Sequence, residues 1–236
     1  MTSAVSSSSE SNPFCTRAVR AGALPFGFPV GSGPETVTRR LVECGWWGEI
    51  VGPHGSGKTT LLETIAPGLE RCGRRLVRCK NHSDKVRFVS RRRVAEQRRS
   101  RLGFQRNKPT AAGTNPNAGS SLWSVFCGSP KWTQDTLVVV DGYEQLDRVS
   151  RWLLKRSCRR KGAGLLVTSH VSVGLPRVFQ TQVTRQLAHT LVAELLHSNC
   201  DRIRPADVDR CFDQHPGNLR EVFFALYDIY ESRRSV

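Results

Sequence analysis

Ile50-Val51-Gly52-Pro53-His54-Gly55-Ser56-Gly57-Lys58-Thr59-Thr60 decides the reading of this chain. Its order is strand, glycine-rich turn, lysine, hydroxyl, helix. The apolar run Trp46–Val51 delivers the chain to the turn. Gly52, Gly55 and Gly57 allow backbone conformations that a Cβ would obstruct, so successive N–H groups can point inward at an anion. The pattern reads as a phosphate-binding loop. Ser56 and Thr60 flank Lys58, whose ammonium group can reach the β- and γ-phosphates of a nucleotide. The Thr59 hydroxyl is placed to ligate Mg²⁺. Leu61, Leu62 and Ile65 then begin an apolar helix, and its positive N-terminal end adds to the same anion site.

Outward from the loop, the apolar runs define a sheet. Arg75–Cys79 reads as a second strand. Leu137–Val140 and Leu165–Val167 are continuous and aliphatic, as in strands buried on both faces, and Val178–Val183 reads as a last strand. Helical spacing appears in Glu35–Cys44, with Val37, Leu41 and Val42 on one side. It recurs in Thr59–Cys72, where Pro67-Gly68 predicts an interruption, and in Tyr143–Arg159, with Leu146, Val149, Trp152 and Leu153 on one face. From Thr184 onward the pattern is all helix: Leu187, Leu191, Val192, Leu195 and Leu196 on one, Pro205 opening the next, and Leu219 to Tyr230 on a third. Strand–helix alternation followed by three helices predicts an α/β fold, a parallel sheet with a small C-terminal helical lid. The expected organisation is a disordered tail over 1–13, an α/β core over 14–183 with an insertion at about 81–121, and the lid over 184–236.

A magnesium nucleotide needs a carboxylate at the end of a strand near the loop. Asp141 follows Leu137–Val140 at the edge where parallel sheets bind ligands. Glu144, three residues on, is a candidate to orient or deprotonate an attacking water, or is an ordinary first-turn glutamate. Thr168 and Ser169 end the Leu165–Val167 strand and could hydrogen-bond the γ-phosphate, while His170 reads as a turn histidine without chemical duty. Arg220, in His215-Pro216-Gly217-Asn218-Leu219-Arg220-Glu221, could fold back onto the nucleotide from the lid.

The chain of 236 residues carries a formal charge of +16. Fourteen Lys and Arg fall between Arg71 and Arg106, opposed only by Asp84 and Glu96. This stretch is either a solvated basic insertion or a surface for nucleic acid or an acidic partner. Its only aromatics are Phe88 and Phe104, so nucleic-acid contacts would go to phosphate and weaken with salt. The eight cysteines show no C-x-x-C pair or zinc-ligand spacing, which favours reduced thiols and a cytoplasmic location. No apolar run is long enough to cross a bilayer. Oligomeric state stays open.

These motifs resemble the additional-strand, catalytic-glutamate class of P-loop NTPases, and within it the AAA+ and NACHT-like (STAND) ATPases. Val139-Val140-Asp141-Gly142-Tyr143-Glu144 is similar to the NACHT-type acidic strand end. Arg204–Val208 with Pro216–Glu221 is similar to the AAA+ lid and its sensor-2 motif. The resemblance implies Lys58 and Thr59 as phosphate and Mg²⁺ contacts, Asp141 as the metal-side acid, Thr168 as sensor 1 and Arg220 as sensor 2. Gly142 stands where AAA+ proteins usually carry the catalytic glutamate. The implied function is a Mg-dependent ATPase or an ATP-driven switch. A nucleotide-gated binding module with little turnover and a small-molecule kinase are the alternatives. The guanine-reading N-K-x-D motif is missing after the Asp141 strand, which favours adenine.

Overall fold

A computed structural model describes residues 12–82, 85–89, 132–196 and 202–234. The elements are α1 (Thr16–Val19), α2 (Pro34–Glu43), β1 (Trp47–Val51), α3 (Lys58–Arg71), β2 (Arg75–His82), β3 (Lys85–Val89) and β4 (Thr136–Asp141). A 3-10 turn (Tyr143–Gln145) follows, then α4 (Arg148–Arg160), β5 (Gly164–Ser169), β6 (Arg177–Gln180), α5 (Arg185–Leu196), α6 (Pro205–Gln214) and α7 (Leu219–Arg234). The Ser-rich N-terminus, the arginines from Arg91 to Arg106, the 107–121 linker and Leu122–Phe126 lie outside the described residues.

The strands form one sheet in the order β3-β2-β4-β5-β1-β6. Five of them are parallel, and β3 pairs antiparallel with β2 at one edge. The fold class is α/β, as the alternating runs predict. Leu137–Val140 and Leu165–Val167 are buried, which explains why they read as unbroken aliphatic runs rather than alternating ones.

Two compact units divide the chain. One holds the described residues of Gly31–Val51 and Ile65–Gln180. Its sheet carries α4 against a core of Val138, Val140, Tyr143, Leu154, Cys158, Leu165 and Val167. The other holds those of Met1–Val30, Gly52–Thr64 and Thr181–Val236. Its core joins α5, α6 and α7, with Leu191, Val192, Val208, Val222 and Leu226 buried among them. Phe14 belongs to this core too; its ring lies 6.3 Å from Phe223 and 6.5 Å from Tyr230. Asp207 ties α6 to α7, accepting from Arg233 at 2.6 and 3.0 Å and from Arg210 at 2.9 Å. It also accepts from the Arg204 N–H at the start of α6.

Three local expectations change. Helix α3 runs through Pro67 to Arg71 without a break: a proline φ is itself helical, and the helix absorbs both the lost backbone bond and the ring's crowding of the carbonyl four residues back. In α2 the buried residues are Val37, Thr38 and Leu41, while Val42 is exposed. At 100° per residue, Val42 lies about 140° around the helix from Val37. The expected helix over Tyr143–Arg159 is two pieces. Leu146 is extended, and Asp147 caps α4 by accepting from the Ser150 N–H at 2.8 Å. That break resets the periodicity, so α4 buries Leu154 and Cys158 and turns Val149 and Trp152 to solvent.

Candidate nucleotide site

The loop is built by close approach. A Cβ on Gly52 would fall 1.9 Å from Thr181 Oγ1, and Gly55 has φ +67° with its Cβ direction filled by Asn218 Oδ1. Neither position accepts a larger residue without displacing a neighbour. Ser56 is buried; its hydroxyl donates to the Pro53 carbonyl at 2.8 Å and lies 2.6 Å from Thr181 Oγ1. Lys58 Nζ donates to the carbonyls of Gly52 and Pro53, each at 2.6 Å. The Leu61 N–H bonds to the Gly57 carbonyl and starts α3, with Thr59 and Thr60 in its half-buried first turn.

C-terminal residues of the same unit border this loop. Asn218 accepts from the Glu221 N–H at 3.4 Å, an N-cap for α7, and presents the same oxygen toward Gly55. The Arg220 Cβ lies 3.3 Å from where a Gly55 Cβ would stand, and its guanidinium stacks 5.4 Å over Phe224.

The acidic residues belong to the sheet unit. Register pairs Val51 with Ser169, Ile50 with Thr168 and Val140 with Val167. The C-terminal ends of β1, β5 and β4 therefore share one edge, and β5 lies between the other two. Thr168 Oγ1 donates to Asp141 Oδ1 at 2.6 Å and accepts from the Gly142 N–H at 3.0 Å. Thr168 thus fixes the orientation of the acid at position 141. Glu144 Oε1 is 2.7 Å from His170 Nε2, and the Glu144 carbonyl accepts from Arg151 at 2.6 Å. Among the described residues, Glu144 Oε2 is buried with no hydrogen-bond partner.

His170 therefore has a specific contact that sequence reading missed, as do Thr181 against the loop and Asn218 against Gly55. Nothing in local periodicity signals these long-range pairs. The residue types suit a magnesium nucleotide. In one unit, an ammonium resting on its own loop's carbonyls and glycines whose Cβ positions are taken suit phosphate; in the other, a hydroxyl-held carboxylate suits a hard cation.

No protein-family model and no curated protein matches the chain. Solved structures do. The crystal structure of Cdc6p from Pyrobaculum aerophilum aligns with 89% of this chain at 12% identity and a TM-score of 0.51, and this chain spans 64% of that one. The structure of C. elegans PCH-2 aligns with 86% of this chain and 67% of its own, at 13% identity and a TM-score of 0.38. The first likeness shows the fold: an α/β core built on a parallel sheet with surrounding helices.

Proposed function

We propose that this chain is an ATP-binding P-loop protein, a Mg-dependent ATPase or ATP-driven conformational switch. The observation that carries it is the loop itself, where Gly52 and Gly55 are sterically required and Lys58 Nζ rests on carbonyl oxygens that phosphate oxygens would replace. The placement of β5 between β1 and β4 supports the additional-strand class.

In this reading the backbone amides from Gly55 to Thr60 and the Lys58 ammonium hold the β- and γ-phosphates. Thr59 and Asp141 hold Mg²⁺, which when bound supplies charge stabilisation to the transferring phosphoryl group. Thr168 keeps the Asp141 carboxylate in a single orientation. Glu144 orients the attacking water and takes its proton as the bond to the γ-phosphorus forms and the bridging P–O bond breaks. His170 holds Glu144 in place. Arg220 reports the γ-phosphate from the start of α7.

A second reading is a nucleotide-gated module, binding nucleic acid or protein with little turnover. It draws on Gly142 standing directly after Asp141 and on the engagement of Glu144 by His170. Phosphate release by wild type, Lys58→Ala, Glu144→Gln and Arg220→Ala, with and without DNA or RNA, separates the two. The ATPase reading expects turnover in wild type and background rates in the first two variants. Background turnover in wild type with nucleotide binding retained selects the module. Wild-type ATP binding by Lys58→Ala overturns both.

A further inference from the structure

Helix α4 has the sequence RVSRWLLKRSCRR, with six cations and no acid in 13 residues. Arg148, Arg151, Lys155, Arg156, Arg159 and Arg160 recur at i,i+3 and i,i+4 spacings, where like charges repel. Among the described residues none of the six forms an ion pair. Four are held against aromatic faces instead. Arg151 and Lys155 lie 5.4 and 5.9 Å from the Tyr143 ring centroid, Arg156 lies 5.4 Å from Trp152, and Arg159 lies 5.4 Å from Trp47. Such stacking orders long side chains before any partner arrives, so less entropy is lost on binding.

Two hollows open along this helix. One of about 540 Å³ lies between α4 and the Val171–Val173 loop, and a second of about 250 Å³ runs along the Lys155–Arg160 side. Trp152 lines both and is 59% exposed, with Val149 and Val171 exposed nearby. Among the described residues the one acid at the larger hollow is Glu144, whose Oε1 is engaged by His170.

We propose that this face binds single-stranded nucleic acid, its phosphates on the α4 arginines and a base stacked on Trp152. Guanidinium groups match phosphate oxygens bidentately, and an exposed indole among them offers the stacking platform that single-strand binders use. A duplex keeps its base faces paired and stacked away from Trp152. An acidic peptide would satisfy the cations and leave the indole unused. A second copy of a +16 chain is repelled, and this chain has no two adjacent acidic residues with which to cover the face itself. The inference does not rest on nucleotide turnover, since none of the residues substituted below is assigned a role at the candidate nucleotide site.

The test is fluorescence anisotropy of the full chain with a labelled single-stranded oligonucleotide, in DNA and RNA arms, over a salt series. Trp152→Ala should weaken binding about ten-fold, the loss of one stacked base. The triple variant Arg148→Gln, Arg156→Gln, Arg160→Gln should lower the slope of log affinity against log salt by about 2, from roughly 0.7 per phosphate contact. All four positions are solvent-exposed, and circular dichroism of each variant confirms folding. A same-length duplex should bind more weakly than the single strand. Unchanged affinity in Trp152→Ala overturns the proposal, since the binding then resides elsewhere. So does an absence of oligonucleotide binding, including the case where a poly-glutamate peptide or anionic phosphatidylserine vesicles bind instead.

Discussion

Glu49 is a charged residue on a central strand with no solvent exposure, and its removal gives a sharply graded prediction. Its carboxylate accepts from Ser172 Oγ at 2.6 Å, the Val173 N–H at 2.8 Å and the Leu175 N–H at 3.3 Å. These bonds fasten the loop after β5 onto β1. Glu49→Ala removes all three acceptors and leaves a void in the sheet core. Bonds to a charged group contribute about 1.5–3 kcal/mol each, but Val173 and Leu175 are half-exposed and their amides can be rehydrated. The expected loss is therefore about 3–5 kcal/mol rather than the full sum, the range for breaking a buried charged network. At 2–4 °C per kcal/mol for a chain of this size, the melting midpoint falls by roughly 6–20 °C. Glu49→Gln behaves differently. Its oxygen can face the two amides while its NH₂ donates to Ser172 Oγ, so all three contacts survive as neutral bonds and the loss stays near 1 kcal/mol. Urea denaturation followed by far-UV circular dichroism measures both. Glu49→Ala within 1 kcal/mol of wild type, or Glu49→Gln as damaging as Glu49→Ala, refutes the reasoning.

The remaining predictions concern the C-terminal helices, the loop and the end of β5. Hydrogen bonds from Arg233 hold the Asp207 carboxyl below its ordinary range. A lowered folded-state pKa stabilises above the unfolded value near 4 and is lost as pH falls through the folded one. Stability of the C-terminal helices should therefore hold from neutral pH to about 4 and drop below it, whereas Asp207→Ala should cost about 3 kcal/mol at neutral pH and flatten the acid drop; acid titration of the melting midpoint checks both. Gly55→Ala should cost about 2 kcal/mol or more, from a left-handed φ and a Cβ that displaces Asn218. Its effect should appear in the denaturation midpoint and in a frayed start of α7, visible as faster amide exchange at Glu221. Thr168→Val leaves the Gly142 N–H without its acceptor and lets Asp141 rotate, so the Mg²⁺ concentration for half-maximal nucleotide binding should rise several-fold.

The fold was legible because its signals are local. The unbroken aliphatic Leu137–Val140 reads as a strand buried on both faces, and a glycine turn ending in Lys58-Thr59 reads as opening a helix. Pro205 and the Leu219–Tyr230 spacing likewise announce the last two helices. Errors arose where one backbone feature shifts a whole periodicity. Extended Leu146 and the Asp147 cap turned Trp152 from an expected core residue into an exposed one. For the candidate site, the sequence offers residue types and not their pairings. Asp141 and Thr168 stand 27 positions apart, and only the β4–β5 register brings them within 2.6 Å. His170 could not be matched to Glu144 from sequence, because a turn histidine carries no pattern of its own. Phe14 completes the core of the C-terminal helices from the far end of the chain, a contact no window along the sequence contains.

Isothermal titration of the chain with ATP, with and without Mg²⁺, bears most directly on the central claim. Wild type should bind with an affinity that Mg²⁺ strengthens, Asp141→Asn should lose that strengthening, and Lys58→Ala should lose binding altogether. Heats indistinguishable between wild type and Lys58→Ala would contradict it.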